Sequence, residues 1–219
     1  MMRFFLILFS FFTLIARAEL VLQFIPVYKG VPIELGKNQG EIQIETFRFY
    51  ISHIHLLHNE KPVWTSSENA HLIDLEDVHS LSILLPETLK KINAISFALG
   101  IDSLTNVSGV MGGDLDPTKG MYWSWQSGYI NFKLEGVRAE NTTSRPFNYH
   151  LGGYSGEKNC LQYVSLEIAK NDTLKIDFDL SSFLAELDPN HPSSIMSPGI
   201  DAVAISKIAA TNFKRHAAN

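Results

Sequence analysis

The sequence predicts an all-β fold, a single-domain antiparallel β-sandwich with long loops and little helix, on three observations. Apolar and β-branched residues come in many short runs, some of them strictly alternating. Clusters of Gly, Asn and Asp separate these runs, and helical signals are confined to two short stretches near the C-terminus. Many short strands at this spacing indicate a sandwich or barrel rather than alternating βαβ units.

Before the first strand, Met1 to Ala18 reads as a cleavable signal peptide. Arg3 gives a positive start, Phe4 to Ile15 is almost wholly apolar, and Ala16-Arg17-Ala18 supplies the small-x-small cleavage pattern before Glu19. The apolar run is short for a bilayer span, and no later segment approaches that length. Residues 19–219 then form one domain, expected in the periplasm or outside the cell.

Leu20 to Val27 opens the domain as an apolar, β-prone run. Glu41 to Thr46 alternates, with Glu41, Gln43 and Glu45 on one face and Ile42 and Ile44 on the other, and Phe47 to Leu57 continues in the same style. Further candidates are His71 to Leu75, Leu81 to Leu84, Ile95 to Leu99, Tyr129 to Leu134, Tyr163 to Ile168 and Leu174 to Phe178. Ser181 to Leu187 and Val203 to His216 are the two candidate helices. The connection from Gly100 to Gly120 is long and rich in Gly, Asp and Asn, and loops of that length are usually functional or disordered.

Charge and composition exclude some functions. Lys and Arg number 18 against 23 Asp and Glu, a net charge of −5 with no basic cluster, so nothing points to nucleic acid. The single cysteine, Cys160, rules out an internal disulfide and reads as a small buried residue. No nucleophile elbow, phosphate loop, HExxH or paired-cysteine motif is present, so a secreted hydrolase lacks a visible catalytic constellation and no enzymatic activity is expected.

Eight histidines in an exported chain direct attention to metals, because neutral imidazole suits copper and zinc. His53-x-His55 would put two imidazoles on one strand face, as metal ligands or as packing and surface histidines. In Met121-Tyr122-Trp123-Ser124-Trp125, Trp123 and Trp125 share a face if extended, and such a cluster also suits an ordinary core. Asp102, Asn106, Asp114 and Asp116 offer oxygen ligands that could hold calcium, although their spacing is not that of an EF-hand and Asx residues also form turns.

Several ordered blocks resemble a known family. They are Phe49-Tyr50-Ile51-Ser52; Phe97 to Ser103 with Asn106; Leu115-Asp116-Pro117; Gly120 to Ile130, with its double tryptophan; and Tyr149-His150-Leu151-Gly152-Gly153. Together they are similar to the MbnP-like copper-binding proteins, exported bacterial proteins named from the methanobactin operon, and the likeness runs from Leu22-Gln23-Phe24 to about Phe178. The double-tryptophan block followed by His-Leu-Gly is its most specific element. The resemblance implies an all-β periplasmic domain that binds copper, with Cu(I) as the candidate state. It also implies a tryptophan oxidised to kynurenine by a partner diheme enzyme of the cytochrome c peroxidase type (MbnH-like). Opening the indole would give an aromatic amine, a nitrogen donor that the indole NH is not.

Carried over residue by residue, His150 matches the histidine of the His-Leu-Gly block, and Trp123 and Trp125 match the double tryptophan. His71, in His71-Leu72-Ile73-Asp74, matches a histidine of many similar members. These four are the candidate metal-site residues. His53 and His55 fall on no shared motif histidine. Val107 stands where some members carry a histidine after the loop asparagine, and the cysteines of some members are absent. The favoured expectation is copper storage, delivery or sensing. Its rival is a cell-envelope β-sandwich acting as a structural or interaction module without metal.

Overall fold

The computed structural model describes residues 20–85, 92–126, 128–140, 143–168, 173–187 and 192–217. The expected signal peptide therefore lies outside the described residues. The strands are, in order, β1 (Leu20–Tyr28), β2 (Val31–Pro32), β3 (Asn38–Gln39), β4 (Ile42–His58) and β5 (Lys61–Thr65). They continue as β6 (His71–Asp74), β7 (Ser82–Leu85), β8 (Ala94–Leu99), β9 (Tyr122–Trp123) and β10 (Gly128–Glu140). The last are β11 (Thr143–Gly152), β12 (Gln162–Glu167), β13 (Thr173–Asp179), β14 (Ser194–Ile195) and β15 (Phe213–Arg215). Among the described residues three α-helices join them: α1 (Ser103–Val107), α2 (Leu180–Glu186) and α3 (Ile200–Thr211).

The all-β sandwich expected from the alternation is what the chain forms. A smaller sheet runs β15-β13-β1-β2, with β7 also on β1, and a larger one runs β12-β8-β4-β10-β11-β14. The pairing is not wholly antiparallel, since β1 lies parallel to β13 and β11 parallel to β14. The runs Glu41 to Thr46 and Phe47 to Leu57 form one continuous strand of 17 residues, β4. Its first part pairs with β10 and its second with β8. Within the β8 pairing the register shifts between Ser52 and His55, a bulge that contains His53, whose φ of 48° lies in the left-handed region that a non-glycine residue rarely adopts.

Alternation fixes which residues enter the core. Phe47, Phe49 and Ile51 of β4 and Phe132 and Leu134 of β10 face the smaller sheet with Phe24, Phe178 and Phe213. Phe24, Phe49 and Phe97 each meet Phe213 edge-on or nearly so, with ring centroids 6.3, 5.5 and 5.4 Å away. Burial of each such side chain stabilises the fold by roughly 1.5–3 kcal/mol. The helix expected over Val203 to His216 ends at Thr211, and Phe213–Arg215 returns as β15 on β13. Phe213 is an aromatic core residue, so its burial against β13 outweighs continuation of the helix.

The opposite face of the larger sheet is not left to solvent. Tyr50, Leu72 and Ile130 form a second apolar cluster there with Ile101, Leu115, Met121, Trp123 and Tyr129. The long connection from Gly100 to Gly120 therefore folds as a cover over the sheet. No helix among the described residues is long and apolar enough to cross a membrane.

Candidate metal centre

The cover is built from side-chain caps. The Asp102 carboxylate accepts from Thr105 N at 2.8 Å and starts α1. Asn106, 2% exposed, donates to the carbonyls of Ile101 and Asp102 and accepts from Tyr129 N at 2.9 Å, which ties α1 to the start of β10. Tyr129 donates its hydroxyl to Leu115 O at 3.1 Å and accepts from Met111 N at 3.2 Å. Tyr50 donates to Asp114 O at 3.0 Å. The loop is thus held by both β10 and β4.

That support seats β9. Trp123 lies across from Gly128, and Met121 O accepts from Ile130 N at 2.9 Å. The indole of Trp123 is 7% exposed and rests on Gly152 of β11. Only a glycine fits at that point, because a Cβ there would come within 2.7 Å of the ring atom Cζ3. Trp125, in the turn after β9, is 64% exposed, yet its ring centroid is 5.9 Å from that of Trp123. The double tryptophan is a contact pair with one buried and one open member.

His150 shares a strand face with Gly152, two residues or roughly 7 Å along β11. Tyr149 and Leu151 point to the main core, so His150 points to the same side as Trp123. It is opposite Lys133 in register, and its Nε2 lies 2.6 Å from Glu135 Oε1. Burial pushes the His150 pKa below its ordinary value against the opposing pull of Glu135. Burial would raise the Glu135 carboxyl, but hydrogen bonds from Thr46 and His150 outweigh it and hold the group below its ordinary value. A neutral imidazole against an ionised carboxylate places the ring proton on Nε2, since the carboxylate can only accept. Nδ1 is then the lone pair available to a metal, the arrangement in which a second-shell carboxylate orients a ligating histidine.

The MbnP family model matches residues 17–197. The chain belongs to the MbnP family. The fold is similar to that of MbnP from Methylosinus trichosporium, with a TM-score of 0.56 and 12% identity over 83% of this chain and 81% of that one. No curated protein matches the sequence. In this MbnP family member the fold brings the double-tryptophan block and the His-Leu-Gly block together, although 24 residues separate Trp125 from His150 in sequence (positions 126 to 149).

The fourth candidate lies elsewhere. His71 is opposite Ile51 on β6, with β4 and β10 between it and β11. Three strand spacings amount to roughly 14 Å. Alternation also sets His71 on the side of Ile73, toward the main core, whereas His150 is on the other face. The structure therefore does not bring His71 and His150 to one ion. His71 instead lies 3.6 Å from Glu68 and borders a polar cleft of about 430 Å³ with Arg48, Asp74, Asp114 and Lys119.

His53 and His55 also part company. The bulge turns His53 toward Asp102, with Nε2 3.6 Å from its carboxylate, while His55 Nδ1 lies 2.8 Å from Thr65 Oγ1. The oxygen groups of the loop are engaged locally: Asp114 accepts from Leu72 N at 3.0 Å and Lys119 at 2.7 Å, and Asp116 caps Thr118 at 2.8 Å. They act as loop caps, not as a converging calcium shell. Among the described residues no three His, Cys, Asp or Glu side chains converge as a metal cluster. Glu135 is the residue that sequence reasoning missed. Its signal was a charged pair, Lys133-x-Glu135, alternating with the buried residues Phe132 and Leu134.

Proposed function

We propose that this MbnP family member is an exported, periplasmic copper-binding protein that stores, delivers or senses the metal and is not itself an enzyme. The observation that carries the reading is that Trp123, in contact with Trp125, rests on Gly152, two residues along β11 from and on the same face as His150, whose Nε2 pairs with Glu135. His150 supplies one neutral nitrogen. Among the described residues no group of three His, Cys, Asp or Glu side chains forms beside it, so a nitrogen-rich copper site calls for another donor there.

Kynurenine from Trp123 or Trp125 would be that donor, and Trp123 is favoured by its contact with Gly152. A diheme partner of the cytochrome c peroxidase type, using two molecules of hydrogen peroxide, would insert two oxygens across the indole C2–C3 bond and release two waters. Hydrolysis of the resulting N-formyl group releases formate and leaves an aryl amine. The chain's own part is to hold the imidazole lone pair and the amine on one face, with the Glu135 carboxylate keeping the proton on the far ring nitrogen.

The test is copper titration of mature protein made with and without the diheme partner, alongside His150→Ala and His71→Ala. Wild-type protein should bind one copper per chain more tightly after modification. His150→Ala should abolish that gain, and His71→Ala should leave it intact. Equal copper binding by wild type and His150→Ala would favour the rival, a metal-free envelope module.

A further inference from the structure

The hydrogen bonds around His53 aim a ring lone pair at a carboxylate. Ser52, 1% exposed, donates its single hydroxyl proton to Gly100 O at 2.7 Å. Its oxygen also lies 3.0 Å from His53 Nδ1, so the second bond requires the ring to donate from Nδ1. A neutral ring then carries its lone pair on Nε2, the atom that faces Asp102 Oδ2 at 3.6 Å. Asp102 is an acceptor as well. Its Oδ1 takes a bond from the Thr105 amide at 2.8 Å and its Oδ2 one from the Thr105 hydroxyl at 2.9 Å. Burial would raise this carboxyl, but the Thr105 bonds lead the causes that hold it below its ordinary value. Two acceptors that face each other call for a cation.

The spacing selects the kind of cation. A charge-assisted N–H···O bond spans about 2.7–2.9 Å, well short of the 3.6 Å observed. A nitrogen and an oxygen on one tetrahedral zinc-like ion, each about 2.0–2.2 Å from it, stand about 3.4 Å apart. Both ligand atoms are pre-set. Ser52 fixes the tautomer of the ring, Thr105 fixes the carboxylate, and the Tyr163 ring of β12 stands beside the imidazole with centroids 6.5 Å apart. His53 holds this position at a left-handed φ of 48°, a conformation that costs energy in a non-glycine residue and clusters at ligand sites. We propose that His53 Nε2 and Asp102 Oδ2 are the protein ligands of an exchangeable divalent transition-metal site of the zinc class, built on residues that the His150 site does not use. Imidazole and carboxylate together suit ions of that class. The two side chains are 38% and 25% exposed, so water completes the coordination and the ion exchanges with solvent.

The test is a zinc titration of the mature chain, followed at the histidine ring nitrogens by NMR, with thermal melts to confirm that each variant is folded. Zinc should shift His53 Nε2, leave Nδ1 protonated, and saturate that ring with one ion. Asp102→Asn keeps the cap on Thr105 N, since Asn caps a helix as well as Asp. It should weaken the His53 response about tenfold or more, the least expected when a ligand rather than its support is lost. His53→Asn, a residue that tolerates the left-handed conformation, should stay folded and lose one zinc ion per chain. His55→Ala should leave the His53 response as in wild type. A His53 ring that is unmoved by excess zinc, or that stays protonated on both nitrogens at pH 7 throughout the titration, overturns the site and leaves the pair an ion pair alone. An unchanged His53 response in Asp102→Asn overturns the carboxylate as a ligand. His150→Ala should keep the zinc response of His53, and His53→Asn should keep the copper binding read at His150, so this site and the copper reading fail in different measurements.

Discussion

Gly152→Ala tests whether the seat of Trp123 is as tight as the structure requires. The added methyl would lie 2.6 Å from the Tyr129 carbonyl oxygen and 2.7 and 3.1 Å from Trp123 Cζ3 and Cη2. The carbonyl belongs to β10 and cannot move without disturbing the Ile130–Gly152 register, so the indole must tilt or the strands must part. Overpacking of this kind costs about 1–3 kcal/mol. For a chain of this size each kcal/mol lowers Tm by about 2–4 °C, which places the expected loss at roughly 2–12 °C. Thermal melts read that loss, and tryptophan fluorescence reads the displacement of the ring. A variant that melts with wild type and keeps its emission spectrum would refute the contact, and with it the argument that Trp123 is held against the His150 strand.

Three further expectations concern other parts of the molecule. Burial would raise the Asp179 carboxyl, but bonds from Lys214 and Ser182 outweigh it and bring the group to about 2, from an ordinary value of 3.8. A depressed folded-state pKa adds stability that is complete above the ordinary value and is lost as pH falls through about 2; Asp179→Asn should remove on the order of 2 kcal/mol at neutral pH and flatten the acid limb of a pH–stability curve. Burial pushes the Cys160 thiol up to about 11, so native protein at pH 8 should resist thiol reagents that react fully once it is unfolded; rapid native labelling would contradict its placement. Glu135→Gln should keep the fold but weaken copper binding about 10–100-fold by relaxing the His150 ring, and unchanged affinity would remove Glu135 from the site.

The sandwich was legible wherever one face of a strand is buried, because β4 and β8 alternate apolar and polar residues in step with the pleat. The strand that carries His150 was not. β11 contains Arg145, Pro146 and Asn148 among its apolar residues, and its extended form comes from pairing with β10 rather than from its own pattern. The loop from Gly100 to Gly120 read as functional or disordered by composition, yet Asp102, Asn106 and Tyr129 close it over a second core. Family resemblance selected His150 and the double tryptophan, and the fold seats Trp123 on Gly152, two residues along β11 from His150. The separation of His71 needed the order of strands across the sheet, information that no local spacing contains.

The central claim is that copper is held at the face shared by His150 and the tryptophan pair. Metal analysis of the mature protein purified from its native periplasm, wild type beside His150→Ala, tests it most directly. One copper per wild-type chain, and its loss from a folded His150→Ala protein, is the predicted result. Wild-type protein without copper from copper-replete cells, or His150→Ala protein that keeps its full complement, would contradict the account.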